Sequence, residues 1–242
     1  MQYVENIQFK TPRAVMINFN IAEQSLTIYS NTMRIPIAPE GIPIIKWCWF
    51  VWLLSLLTVD TVVVACFSVV LLFVMSFFRD PLRNISRDAN AVYSAADGVI
   101  TQINTVNLNG IDYYQVVTFL SVFNCHVNRI PLAGTVTKST HIPGKFLAAM
   151  RGDIDKKNER QETEIQTQIG LVRVVQITGA IARRICCELK PDQVTTTGER
   201  FGLIRFGSRT DVYLPVDNVT LLVKKRDKIK GGLSQLAIIK SQ

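Results

Sequence analysis

At 242 residues, 48% of them hydrophobic, the chain has room for one soluble domain of ordinary size with a membrane segment beside it. Its formal net charge of +8 points to an anionic partner. Aromatics are few outside the apolar stretch and no recognised nucleic-acid motif is present, so that partner is a lipid surface and not nucleic acid.

The five cysteines, Cys48, Cys66, Cys125, Cys186 and Cys187, are odd in number and lack a CxxC spacing. They make neither a disulfide framework nor a zinc site, and they fit a reducing compartment. Residues 1–31 are mixed and weakly amphipathic, with no basic segment leading into an apolar core, so they do not read as a signal peptide. Met33-Arg34-Ile35-Pro36-Ile37 reads as an alternative start, which makes residues 1–32 an extension.

Residues 47–78 form an apolar stretch of 32 residues broken by one charge, Asp60. As a single helix it would be about 48 Å long against a hydrocarbon core of about 30 Å. Two short helices folding back at Thr58-Val59-Asp60-Thr61 fit better, with Asp60 in the turn. Arg34 and Lys46 flank one end and Arg79, Arg83 and Arg87 the other, so the positive-inside rule puts both ends in the cytoplasm. Trp47, Trp49 and Trp52 add an interfacial belt. The competing reading is a buried core hairpin of a soluble protein.

Beyond Asp80-Pro81 the apolar pattern changes to period two. Strands are expected over 92–96, 98–106, 111–120 and 133–139, then over 165–169, 171–177, 181–189, 200–206, 211–215 and 219–223. Asn107-Leu108-Asn109-Gly110 is a strong hairpin signal. Residues 145–160 are the least strand-like part of the domain, with 153–160 reading as an exposed charged loop. The basic run 224–230 reads equally as a solvated tail or as a patch that holds the domain to an anionic bilayer. No long amphipathic helix follows the apolar stretch. The expected fold class is therefore mainly β: a compact antiparallel barrel-like or sandwiched catalytic domain (81–242) behind an apolar helical membrane hairpin (42–80) and a lead-in (1–41).

Arg205-Phe206-Gly207-Ser208-Arg209 lies between two of these runs. A Gly-Ser pair there ordinarily makes a bend. The sharper reading is a self-cleavage site, in which the Ser208 hydroxyl attacks the unshielded carbonyl of Gly207. The resulting ester eliminates to dehydroalanine and hydrolyses to a pyruvoyl group, a ketone able to form a Schiff base with a substrate amine. Two histidines are available, His126 and His141. An Asp orienting a His that deprotonates Ser208 would form an Asp-His-Ser arrangement, with Asp97 and His126 as candidates. The bland alternatives are a satisfied core histidine and a plain Asp97-Gly98 turn.

In order, Ala96-Asp97-Gly98, His126-Val127-Asn128-Arg129-Ile130-Pro131-Leu132-Ala133-Gly134, Pro143-Gly144-Lys145-Phe146, Asn158-Glu159-Arg160 and Arg205-Phe206-Gly207-Ser208-Arg209 resemble the motifs of the phosphatidylserine decarboxylase family. The match is to its short prokaryotic type, including an apolar hairpin followed by Phe78-Arg79-Asp80-Pro81, and it spans residues 35–223. The resemblance implies a proenzyme cut between Gly207 and Ser208 into a large β chain and a small α chain of 35 residues. The cofactor would be the covalent pyruvoyl group made from Ser208, with no metal. Through a Schiff base it would act as electron sink while phosphatidylserine of an anionic membrane loses CO₂ to give phosphatidylethanolamine.

The same resemblance implies His126 as the base of self-cleavage, oriented by Asp97, and as proton donor after decarboxylation. Longer members carry a second histidine where this chain has Arg129, which is assigned instead to the substrate carboxylate or phosphate. His141 is left as structural or as a reserve candidate. The implied location is the cytoplasmic face of the inner membrane, and a homo-oligomer is left open. Two rival expectations are a non-catalytic membrane-tethered β scaffold, whose Gly207-Ser208 bond stays intact, and a pyruvoyl enzyme for a soluble amino acid, which the apolar hairpin argues against.

Overall fold

The computed structural model describes residues 36–58, 60–85, 88–147, 157–180, 184–205 and 208–240, all but Pro36 within the compact unit Ile37–Gln242. The expectations for residues 1–32, for the first half of the charged loop and for Gly207 lie outside the described residues.

Helix α1 (Ile42–Ser55) and helix α2 (Thr61–Phe77) pack against each other on either side of the expected fold-back. Pro43 stands in the first turn of α1, where a missing N–H costs nothing. Asp60 caps α2, its Oδ1 accepting from the N–H of Val62 at 2.8 Å, so the single charge of the stretch has a structural use. Trp52 Nε1–H donates to Ser68 Oγ across the two helices at 2.8 Å. The helical segment Pro39–Thr58 is long and apolar enough to cross a membrane, and Thr61–Phe77 is a shorter apolar helix. Only 11% of the apolar window in Pro39–Thr58 is buried, which sets aside the buried core hairpin.

The remainder is β: β1 (Ala91–Tyr93), β2 (Gly98–Leu108), β3 (Ile111–Leu120), β4 (Val127–Arg129), β5 (Gly134–Ile142), β6 (Arg160–Thr167), β7 (Gly170–Thr178), β8 (Ile185–Cys187), β9 (Val194–Thr195), β10 (Arg200–Ile204), β11 (Ser208–Pro215), β12 (Val219–Leu221), β13 (Lys228–Ile229) and β14 (Gln235–Ile239). An eight-stranded antiparallel sheet in the order β13-β2-β3-β11-β7-β6-β5-β9 curls into a half-barrel. Register shifts at Thr101 and Thr137 mark bulges, which add local bend. Two three-stranded sheets, β1-β14-β12 and β4-β10-β8, accompany it. The fold is thus the mainly β, barrel-like one expected. Asn109 and Gly110 have φ of 53° and 85°, the pair of positive values that a two-residue β2–β3 turn demands.

Alternation decides which faces are covered. Along β6, Gln161, Thr163, Ile165 and Thr167 are buried while Arg160, Glu162, Glu164 and Gln166 face outward. The core gathers Ile100, Val116, Val136, Ile165, Val172, Val174, Val212 and Leu214 with Phe201, Ile130 and Leu236.

Three expectations shift. Strand β6 begins at Arg160, five residues earlier than expected, because alternation with charged outward residues suits a half-solvated strand. Part of the basic run is strand β13, whose Ile229 is buried and whose Lys228 pairs with Val99. Strand β14 was not expected at all: five residues long, it sits between β1 and β12 with Leu236 and Ala237 both buried, so it shows no alternation.

Candidate active site

The run from His126 to Pro131 enters the fold as β4, which pairs with β10 through Val127 opposite Leu203 and Arg129 opposite Arg200. One residue before β4, the His126 carbonyl accepts the N–H of Ile204 at 3.3 Å. From Ile204 the chain needs only four residues to reach Ser208, a span of at most about 14 Å. Ser208 is the first residue of β11, where its backbone lies between Leu120 of β3 and Thr178 of β7. It is therefore a strand residue and not the second half of a bend.

The Ser208 side chain is fully buried, and its hydroxyl has no hydrogen-bond partner among the described residues. A buried polar group left without a partner costs on the order of 1–3 kcal/mol. Such an orphan hydroxyl at an expected reacting position fits a nucleophile, and its strand-end position fits the seat of a pyruvoyl group at a new N-terminus. Thr210, two residues on and facing the same way, is held by a relay of buried amides. Asn128 Nδ2 donates to Thr210 Oγ1 at 3.3 Å, and Gln176 Nε2 donates to Asn128 Oδ1 at 2.7 Å.

His126 is wholly buried. Its Nδ1 lies 3.0 Å from the carbonyl oxygen of Asn124, which only an N–H can satisfy, so in the neutral ring Nδ1 carries the proton and Nε2 the lone pair. Burial is the main cause that lowers its pKa to about 4; the nearby Arg79 cation lowers it further, while the Asn124 carbonyl and the Asp97 charge oppose. At neutral pH the ring is an uncharged base.

The other expected residues fall differently. Asp97 is in the β1–β2 turn, and its carboxylate is held bidentately by Arg83 at 2.7 and 2.8 Å and by the N–H of Gly231 at 2.8 Å. These contacts, not a hydrogen bond to His126, use its oxygens, so it acts on the imidazole through charge. Arg129 is buried and donates to Asp80 Oδ1 at 2.9 Å and to the carbonyl of Gly198 at 3.2 Å. Arg200 joins the same cluster, reaching Asp80 at 3.5 Å and Glu40 at 2.5 Å. Arg129 is thus bound within the protein where a substrate anion contact was expected. His141 is on β5 with a half-exposed side chain, 3.7 Å from Glu159. Immediately after Ser208, Arg209 and Asp211 form a buried pair at 2.6 Å that also receives Gln115 at 2.8 Å.

Sequence reasoning passed over Arg83 as the Asp97 partner, the Asn128–Gln176 relay and Phe77. Asp80 and Asn128 each had a signal, in Phe78-Arg79-Asp80-Pro81 and in the motif that begins at His126, and neither pattern named the partner. No cluster of three or more metal-ligating side chains exists among the described residues.

Residues 70–237 match the family model described as phosphatidylserine decarboxylase. The chain is 42% identical over 207 residues to the phosphatidylserine decarboxylase proenzyme of Geotalea uraniireducens, covering 84% of this chain and 97% of that protein. It is 38% identical over 203 residues to the proenzyme of the same name from Desulfotalea psychrophila, covering 82% and 94%. With that of Pelobacter propionicus it shares 40% over 207 residues, covering 81% and 94%.

Proposed function

Since the chain belongs to the phosphatidylserine decarboxylase family, we propose that it is a membrane-associated proenzyme that cuts itself between Gly207 and Ser208 and then decarboxylates phosphatidylserine to phosphatidylethanolamine. The observation that carries this reading is the buried hydroxyl of Ser208 at the head of β11, which has no hydrogen-bond partner among the described residues.

In self-cleavage the Ser208 oxygen bonds to the Gly207 carbonyl carbon, its proton passing to His126 Nε2, the lone-pair nitrogen. The Gly207–Ser208 C–N bond then breaks and the freed amine takes a proton. Loss of the Ser208 Cα proton with breakage of its Cβ–O bond releases the Gly207 carboxylate and leaves a dehydroalanine, which takes up water and loses ammonia to become the pyruvoyl group. When in place, that group supplies the electron-accepting carbonyl that a decarboxylation requires. Around it, His126 holds or returns a proton, and Asp97 offsets the charge on the ring when it is protonated. Arg129 as a contact for the lipid's anionic groups would require release of Asp80, so within this proposal Arg129 is a strut. The apolar hairpin and basic charge hold the domain at an anionic bilayer on the cytoplasmic face of the inner membrane.

Intact mass measurement tests the reading. A large chain ending at Gly207 and a small chain of 35 residues, 208–242, headed by a pyruvoyl group, are expected. A single uncut chain without decarboxylase activity would overturn it in favour of a tethered β scaffold.

A further inference from the structure

Phe77 closes the last turn of α2 and is 1% exposed, although Val69, Leu72 and Met75 of the same helix point outward. Its ring centroid is 4.4 Å from that of the His126 imidazole, with the planes inclined at 37°. Phe78 meets Phe77 edge-on at 5.0 Å. Around them Ala38, Val74, Cys125, Val127 and Leu203 make a separate apolar cluster, a seam between the hairpin and the β4–β10 pair.

Polar ties fix the seam from several sides. Ala38 N–H donates to Phe78 O at 2.7 Å, Cys125 Sγ–H to Arg79 O at 3.4 Å and Arg79 Nη2 to Phe123 O at 2.7 Å. The buried Arg129–Asp80 pair closes it three residues past Phe77. With the helix end held in this register, the Phe77 ring packs on the imidazole.

We propose that the inner end of the apolar hairpin is a wall of the reaction centre, with Phe77 as a positioning residue for His126. The hairpin then shapes the proton-transfer group as well as tethering the domain. This inference rests on the reading of His126 given above. An apolar ring against one face of the imidazole removes water from it and limits its rotation, which preserves the Nδ1–H bond to Asn124 and keeps Nε2 unprotonated. The charges that face His126 oppose each other: Arg79, just past α2, disfavours the imidazolium, and Asp97, in the β1–β2 turn, favours it. The adjacent Cys125 thiol is pushed up by burial and stays neutral. Loss of water is thus the deciding influence, and Phe77 supplies part of it.

The test uses the full-length chain in lipid nanodiscs, made uncuttable by Ser208→Ala, with histidine side chains followed by NMR as pH is varied. Only two histidines exist, and half-exposed His141 is the internal control. Phe77→Ala is expected to move the His126 midpoint upward from about 4 toward 6.5 and to leave His141 in place. In the cleavable chain, Phe77→Ala is expected to slow cutting about tenfold, with Phe77→Tyr restoring most of the rate. An unmoved His126 midpoint in a folded Phe77→Ala chain overturns the proposal. Should that variant fail to fold, Phe77→Leu, which keeps bulk and removes the flat ring, is read in the same way. Normal cutting by His126→Ala would instead sink the role of His126; the two failures are told apart because the midpoint shift would survive.

Discussion

The hairpin and the half-barrel use the same apolar residue types in opposite ways. In the hairpin, Trp47, Leu57, Val62 and Leu72 are 69%, 79%, 68% and 65% exposed. In the half-barrel, Ile100, Val116, Val172 and Leu214 are no more than 1% exposed. A soluble protein does not leave so continuous an apolar surface to water, so the hairpin is built for a solvent that its side chains do not need to escape. The half-barrel is built for water, and its stability comes from closing its own apolar face. The candidate site lies on the seam where the two meet, with Phe77 from one side and His126 from the other.

Substitutions at the seam have the largest effects. Ser208→Ala is expected to abolish cutting and decarboxylation together, leaving one chain of 27.2 kDa by mass. Arg129→Ala removes one cation from the buried Asp80 carboxylate, whose side chain is 0% exposed; a loss of about 3–5 kcal/mol in thermal or chemical unfolding is expected for a broken buried ion pair. In the half-barrel, Leu214→Ala opens a cavity and is expected to cost about 2–5 kcal/mol.

The pH effect is next in size. Burial lowers the His126 pKa from 6.5 to about 4, so between those values the unfolded chain takes up a proton that the folded chain refuses. This contribution to stability is full above the unfolded value and falls as pH drops toward the folded one, by up to about 3 kcal/mol. Unfolding midpoints against pH check it, and His126→Gln is expected to flatten that part of the curve. The smallest effect is Leu72→Ala on the outer face of α2, within about 0.5 kcal/mol of zero in the same unfolding measurement. A loss as large as that of Leu214→Ala would put Leu72 in a protein core and dissolve the contrast.

Much of this was legible locally. The length and composition of residues 47–78 forced a fold-back, and Asp60 marked its turn because a lone carboxylate in that stretch needs polar partners, which the first N–H groups of α2 provide. Asn109-Gly110 marked a turn because both positions need positive φ. Ser208 and His126 stood out because their types and neighbours suit a known chemistry. The start of β6 was less legible, since Arg160, Glu162 and Glu164 look like loop until Gln161 and Thr163 are seen to face a core. Strand β14 was hidden by its shortness and by burial on both faces.

The chain by itself determined the order of elements, the apolar hairpin, the tight β2–β3 turn and the candidate reacting pair, since each depends on residues a few positions apart. The partners came from packing at long range: Arg83 for Asp97, Asp80 for Arg129, Gln176 for Asn128, and Phe77 against His126. Apart from Arg83 and Asp97, these are separated by 48 or 49 positions, and no local pattern fixes which groups meet once the sheet curls and the seam closes. The physical reason is that a buried charge, amide or ring takes its properties from whatever packing leaves beside it, and that is a property of the closed fold.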